Sequence, residues 1–165
     1  MQRETFAEVA EENLDAVHAY LVYLTGDRGI AEDLTADTFE RALRSWSRYD
    51  PRRGSTKTWL CQIARSTALD HFRSERRRQR REHTYFLGDQ GRDETGAFGE
   101  GLSPAIETAL RSLTAGEREV IALRVLLDLD AETAARLLGI SVTNCSTRLS
   151  RALKKLEEKV RADAA

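Results

Sequence analysis

The residues best suited to chemistry lie on one side of a long C-terminal stretch that begins at Val142. Thr143, Asn144, Thr147, Arg148, Arg151, Lys154 and Lys155 recur at helical spacing, so a helix gathers them on one face. An amide can pair bidentately with adenine and a guanidinium with guanine in the major groove. Asn144 and Arg148 supply those two groups one turn apart, and Lys154 and Lys155 lie further out, where they suit phosphates. The opposite side carries Val142, Cys145, Leu149, Leu153, Leu156 and Val160 and is expected to be buried. Ahead of this helix stand the segment Ala131–Leu138 and the turn Gly139-Ile140-Ser141. Two helices joined by a short glycine-containing turn predict a helix-turn-helix. That context favours DNA reading over an ordinary solvated face.

Other groups are weaker candidates. The run Arg76-Arg77-Arg78-Gln79-Arg80-Arg81 suits phosphate contact. Asp33 and Asp37 sit four apart and share a helix face with Glu32 nearby, which leaves a metal-dependent nuclease as a minor alternative. No His or further carboxylate cluster joins them, and His18, His71 and His83 show no ligand spacing. Cys61 and Cys145 lie far apart without a CxxC, so neither a disulfide framework nor a zinc site is expected. The expectation is a chain with no catalytic residues and no cofactor, working in a reducing cytoplasm.

These groups must be positioned by helices. Phe6, Val9, Ala10, Leu14, Val17, Tyr20, Leu21 and Leu24 form one amphipathic stripe, closed by Thr25-Gly26-Asp27. Ile30, Leu34, Phe39, Ala42, Leu43 and Trp46 form a second. After the turn Asp50-Pro51-Arg52-Arg53-Gly54, Trp59, Leu60, Ile63, Ala64 and Phe72 form the inner side of a third helix capped by Ser55. Pro104 opens a short helix to about Leu113. Thr114 and Glu117 resemble a capping box for the next helix, which carries Val120, Ile121, Leu123, Val125, Leu126 and Leu127. The fold class is therefore all-α: two small helical domains, residues 1–82 and 104–165, joined by a flexible linker, with the helix-turn-helix in the second. The linker, residues 83–103, is acidic and holds 5 of the 10 glycines, with its flexible part read from Gly88 to Ser103.

Charge follows the same division. The 165 residues sum to a net charge of −1, yet residues 1–40 carry −8, 41–82 carry +9, 83–103 carry −3 and 104–165 carry +1. A block of +9 predicts a polyanionic partner, and the acidic block needs a different one. No apolar run approaches the roughly 18 residues of a membrane span. Met1–Glu12 is acidic without an apolar signal core, so secretion by that route is not expected.

Several stretches together resemble the extracytoplasmic-function sigma factors of bacterial RNA polymerase. Ala31-Glu32-Asp33-Leu34-Thr35-Ala36-Asp37-Thr38-Phe39-Glu40-Arg41-Ala42 is similar to the polymerase-binding helix of that family's first domain. Thr58-Trp59-Leu60-Cys61-Gln62-Ile63-Ala64-Arg65 with Ala68-Leu69-Asp70 resembles the helix beside the promoter −10 element. Leu113–Val120 and Leu137-Leu138-Gly139-Ile140-Ser141 resemble the second domain, which reads the −35 element. The last pair also occurs in LuxR-type output domains, but both halves in this order are specific.

The resemblance implies partners and roles. Asp33, Asp37 and Glu40, with Arg41 and Arg44 beside them, would face the β′ coiled coil of core RNA polymerase, and the β flap would be a second contact. Trp46, Tyr49, Asp50 and Arg53 occupy the loop that captures a base flipped from the −10 strand, although Trp46 and Tyr49 at helical spacing also suit a core. Gln62, Arg65, Arg73, Arg76 and Arg77 would contact DNA around the −10 element, and the face from Thr143 to Lys155 the −35 element. The acidic linker would thread toward the polymerase cleft, imitating nucleic acid. An anti-sigma protein is a further implied partner, and no membrane contact is implied. Where the family commonly has Val and a basic residue, this chain has Cys145 and Ser146, which changes the expected promoter sequence and not the fold. A stand-alone helix-turn-helix regulator is the alternative; it would need no acidic polymerase face. The ending Ala164-Ala165 resembles a tag read by AAA+ proteases, and the residues after Val160 are expected to fray.

Overall fold

The computed structural model describes residues 3–82 and 98–164. His83, the expected linker as far as residue 97, and Ala165 lie outside the described residues. The described residues are helical and contain no strand.

The first three helices are set by their caps. Helix α1 (Phe6–Thr25) opens on a capping box in which the Thr5 hydroxyl accepts from the Glu8 N–H and the Glu8 carboxylate accepts from the Thr5 N–H at 2.8 Å. Those bonds hold the Glu8 carboxyl below its usual range. Gly26 ends α1 at φ 67°, a left-handed geometry that glycine adopts without strain. Its neighbour Asp27 caps α2 (Arg28–Ser45) by accepting from the Ile30 N–H at 3.0 Å. The two residues Gly26 and Asp27 thus close one helix and start the next. After a 3-10 turn at Trp46–Arg48, α3 (Thr56–Glu82) completes a three-helix unit. Its core holds Val9, Val17, Leu21, Ala31, Leu34, Ala42, Leu60, Ala64 and Ala68.

Two stripe residues fall outside that core. Leu14 is exposed and Leu43 is 58% exposed. In α1 the seam runs through Val9, Asn13, Val17, Tyr20 and Leu24, which turns Leu14 away. Asn13 can occupy it because its Nδ2 donates to the Val9 carbonyl at 2.8 Å. Thr35 and Thr38, also buried, donate their hydroxyls to Ala31 and Leu34 carbonyls one turn back.

The second unit begins at Ser103, which caps α4 (Pro104–Ser112) with Pro at its first turn. Thr114 and Glu117 form a capping box for α5 (Ala115–Ile121). The helix expected to continue to Leu127 changes geometry at Ala122–Leu126, which is a π turn. The Leu127 N–H reaches the Ala122 carbonyl, and Val125 and Leu126 are exposed to solvent. Asp130 caps α6 (Ala131–Leu138) by accepting from the Thr133 N–H and hydroxyl. Gly139, at φ 67°, closes α6 ahead of α7 (Val142–Ala164). Helix α7 does not fray after Val160: it persists to Ala164, with Arg161 paired to Glu157 at 2.6 Å.

The two units do not keep separate cores. Helix α1 packs against α5, and a single apolar cluster runs from Val9 to Ala152. The expected linker is also shorter than its sequence suggests. Phe98 is buried, and its N–H donates to the Glu107 carboxylate at 3.1 Å. Leu102 packs against the core. The segment from Phe98 to Ser103 is therefore part of the folded body.

Candidate nucleic-acid interface

The α7 face is built from its buried side outward. Cys145 and Ala152 are buried, while Leu149, Leu156 and Val160 are half-buried. The contact seam is narrower than the apolar stripe, so Val142 and Leu153 are 44% and 38% exposed. The small residues Cys145 and Ala152 let α4, α5 and α6 approach closely. Ser141 accepts from the Asn144 N–H at 3.1 Å and fixes the start of the helix. Thr143, Asn144, Thr147, Arg148, Arg151 and Lys154 are all exposed on the outer side. Lys155 departs from them: its Nζ lies 3.0 Å from Glu117 Oε1, joining α7 to α5. Burial raises the Glu117 pKa, but the bonds from Lys155 and Thr114 outweigh it and leave it below the usual range.

The loop before α3 forms an aromatic step. Trp46 and Tyr49 stack with centroids 5.2 Å apart and planes 6° from parallel. Trp59 tilts against both, and Phe6 covers Trp46. Trp46 is thus a packing residue with one face closed by Tyr49. The Tyr49 hydroxyl donates to the Gly54 carbonyl at 2.9 Å, which ties the loop back on itself. Arg52 side-chain and backbone donors clamp Asp50 and hold its carboxyl below the usual range. Beside them is a cavity of about 260 Å³ walled by Arg48, Tyr49, Arg53, Trp59 and Gln62, and closed from α6 by Arg136.

Further along α3, Arg73, Arg76 and Arg77 are exposed, and Ser74, Arg77, Arg78 and Arg81 border a shallow groove. The α2 face is a mixed-charge lattice rather than an acidic one. Arg41 bridges Asp37 at 3.3 Å and Asp70 at 3.1 Å, and Arg44 pairs with Glu40 at 2.6 Å. The Asp70 bond, with help from Asp37, raises the Arg41 pKa. Asp33 is exposed beside them. Among the described residues no group of three His, Cys, Asp or Glu side chains is placed to hold a metal.

Residues 9–78 match the family model of sigma-70 region 2, and residues 103–156 match that of sigma-70 region 4. SigC of Mycobacterium tuberculosis, an ECF RNA polymerase sigma factor, is 33% identical over 90% of this chain and 78% of its own length. The chain belongs to the ECF sigma factors of RNA polymerase. BldN of Streptomyces coelicolor is 31% identical over 99% of the chain, which spans 63% of that longer protein. Among solved structures, the sigma factor RpoE in complex with the anti-sigma factor NepR from Bartonella quintana matches with a TM-score of 0.79 and 25% identity, covering 96% of this chain and 98% of that one.

In this sigma factor a second expected DNA-facing residue, after Lys155, is engaged elsewhere. Arg65 does not stand outward beside Gln62; its Nε donates to Glu119 Oε1 of α5 at 2.7 Å, and the side chain is only 26% exposed. The same oxygen accepts the Tyr20 hydroxyl at 2.7 Å. Tyr20 is fully buried, and its pKa is driven well above the ordinary tyrosine value by burial, then by the Glu119 charge. Arg118 spans the units as well, donating to the Tyr23 carbonyl at 2.6 Å and the Leu24 carbonyl at 3.4 Å. Lys57 donates to the Leu127 carbonyl at 3.0 Å. Burial pushes the Cys61 thiol up to about 12, so it remains a protonated, unreactive core group.

Sequence reasoning missed the roles of Glu119 and Arg118, though a signal existed. Glu119 lies four residues before the apolar Leu123, and Arg118 four before the buried Ala122. Charged residues on an apolar helix side predict buried partners.

Proposed function

We propose that this sigma factor binds core RNA polymerase through the α2 face around Asp33, Asp37, Glu40, Arg41 and Arg44, with the β′ coiled coil as partner and the β flap as a second contact. It then places the enzyme at a promoter through two DNA contacts. The observation that carries the reading is the α7 face. Asn144, Thr147 and Arg148 project together from a helix whose other side is committed to packing, directly after a tight glycine-closed turn. This face reads the −35 element, with Arg151 and Lys154 on flanking phosphates.

The cavity beside Tyr49, Trp59 and Gln62 accepts a base extruded from the −10 strand, and Arg73, Arg76 and Arg77 hold the adjoining backbone. The protein performs no covalent chemistry; it supplies position and strand separation, and it acts in the cytoplasm where polymerase and DNA meet. An anti-sigma protein is a natural partner, in line with the NepR-bound relative. No helix among the described residues is long and apolar enough to cross a membrane.

In vitro transcription with core polymerase on a genomic fragment library tests the proposal. New start sites that depend on the added protein are the expected result. Their absence overturns it.

A further inference from the structure

We propose that the cavity between the aromatic loop and α6 is a binding site for a free purine nucleoside triphosphate. The cavity, of about 260 Å³, is walled by Arg48, Tyr49 and Arg53 from the loop before α3, by Trp59 and Gln62 from α3, and by Arg136 from α6. Three guanidinium groups therefore border it, against a single carboxylate, Asp50, among the lining residues. Asp50 is already held by the Arg52 backbone N–H at 3.0 Å and by the Arg52 guanidinium at 3.2 and 3.3 Å. Arg48, Arg53 and Arg136 are exposed, and among the described residues no hydrogen bond or ion pair engages their side chains.

The aromatic part of the wall is set before any ligand arrives. Trp46 stacks on Tyr49, and the Tyr49 hydroxyl donates to the Gly54 carbonyl at 2.9 Å, so the ring is fixed in place. Trp59 stands 5.2 Å from it at 50°, which makes an apolar corner against which a base can stack. The Gln62 amide both donates and accepts, so it can pair with a base edge. The volume is just under the roughly 300–1,000 Å³ of sites that enclose a whole drug-sized ligand. The cavity therefore takes the base, and the phosphates remain at its opening beside the exposed arginines.

Charge density separates a free nucleotide from a strand. A phosphodiester strand brings one negative charge for each base. A triphosphate concentrates several charges on one base, and guanidinium groups bind its oxygens bidentately. Three unpaired guanidinium groups around one aromatic corner suit the second ligand better than the first. Arg136 is the distinguishing residue, because it comes from α6 and is not among the groups assigned to the −10 strand. Tyr49, Trp59 and Gln62 serve either ligand, so a bound nucleotide and an extruded −10 base exclude one another; this consequence, unlike the site itself, rests on the proposed −10 reading.

Isothermal titration calorimetry on the full chain, with GTP and ATP in turn, tests the site. Each is expected to bind at one site per chain. GMP keeps the base and loses two phosphates, and inorganic tripolyphosphate keeps the charge and loses the base; each should bind weaker than GTP by about tenfold or more. Arg136→Ala should weaken GTP binding by about five- to tenfold, with Arg136→Lys in between, while circular dichroism checks that helix content is kept. A pool of short single-stranded DNA of random sequence should bind Arg136→Ala within about twofold of wild type, which separates the free nucleotide from a strand. Arg77→Ala with Arg81→Ala, in the shallow groove of α3, should leave GTP affinity within about twofold. Three results overturn the site: no binding of either triphosphate, tripolyphosphate bound as tightly as GTP, or a loss that follows Arg77 and Arg81 rather than Arg136. A tenfold loss of DNA affinity in Arg136→Ala with GTP binding unchanged would assign the cavity to a strand and overturn it as well. Initiation with core enzyme tests the −10 reading separately, so the two failures are distinguishable.

Discussion

The Tyr20–Glu119–Arg65 triad sets up a double-mutant test of non-additivity. Tyr20→Phe removes one buried hydroxyl and keeps the ring in the core. Glu119 then retains Arg65 but loses a bond of 2.7 Å, at a cost of about 1.5–3 kcal/mol for a hydrogen bond to a charged group. Glu119→Leu strands both the Tyr20 hydroxyl and the Arg65 guanidinium, and breaking a buried pair on one side costs about 3–5 kcal/mol. The double variant no longer carries the stranded hydroxyl. It should therefore be less destabilised than the sum of the two, with a coupling of about 1–2 kcal/mol. In a chain of this size each kcal/mol corresponds to a Tm change of about 2–4 °C, so Glu119→Leu should melt about 6–20 °C lower. Urea unfolding followed by circular dichroism gives all four corners of the cycle. Strict additivity would refute the direct Tyr20–Glu119 bond. The same triad fixes an alkaline limit. Tyr20 titrates higher when folded than the ordinary value of 10.0, so its contribution is complete below that pH and is lost as pH rises toward the folded value. Tyr20→Phe should flatten this alkaline loss, and an unchanged slope would assign it to other groups.

Asn144→Ala and Arg148→Ala should each lower −35 discrimination by about 1–3 kcal/mol, leaving melting temperature and polymerase binding as in wild type; wild-type initiation from every promoter would show that the face is misassigned. Asp33→Arg with Asp37→Arg should abolish capture by core polymerase, since it reverses charge at the proposed contact and sets a like charge beside Arg41 in place of its present partner; retained binding in a pull-down refutes that contact. Arg76, Arg77 and Arg80 changed together to Ala should weaken binding on all DNA sequences alike and reduce the salt slope by about 0.9 for every phosphate no longer neutralised; a sequence-selective effect would make these residues base readers. Lys155→Met should cost less than about 1 kcal/mol of stability, because its pair with Glu117 is partly exposed, and it should leave DNA affinity unchanged if the Glu117 pair is kept in the complex.

Local chemistry was the legible part of this chain. Pro104, the Thr114–Glu117 box and Gly139 each mark a boundary through a rule that operates within a few residues, and the structure places caps at those positions. The outward face from Thr143 to Lys154 follows from helical spacing for the same reason. What spacing could not supply was the neighbour across the chain. Lys155 and Lys154 are equivalent by sequence and differ because only Lys155 comes within reach of Glu117. Arg65 fits the outer side of α3 until α5 arrives with Glu119. Leu14 and Leu43 show the complementary limit: apolar character does not bring burial at positions just off the seam. The break at Ala122–Leu126 carries no glycine or proline, so no local breaker announced it.

The partners that join the two units are far apart along the chain: Tyr20 and Glu119 are separated by 99 residues. A ribosome adds about 5–20 residues per second, so roughly 5–20 seconds pass between the two. During that interval α1 and α3 can emerge and begin to pack with Arg65 and the aromatic loop uncovered, because α5 and α6 have not yet been made. Each newly synthesised molecule therefore passes through an open first half before closure is available to it. The finished protein, by contrast, holds Arg65 against Glu119 and sets α6 beside the aromatic loop.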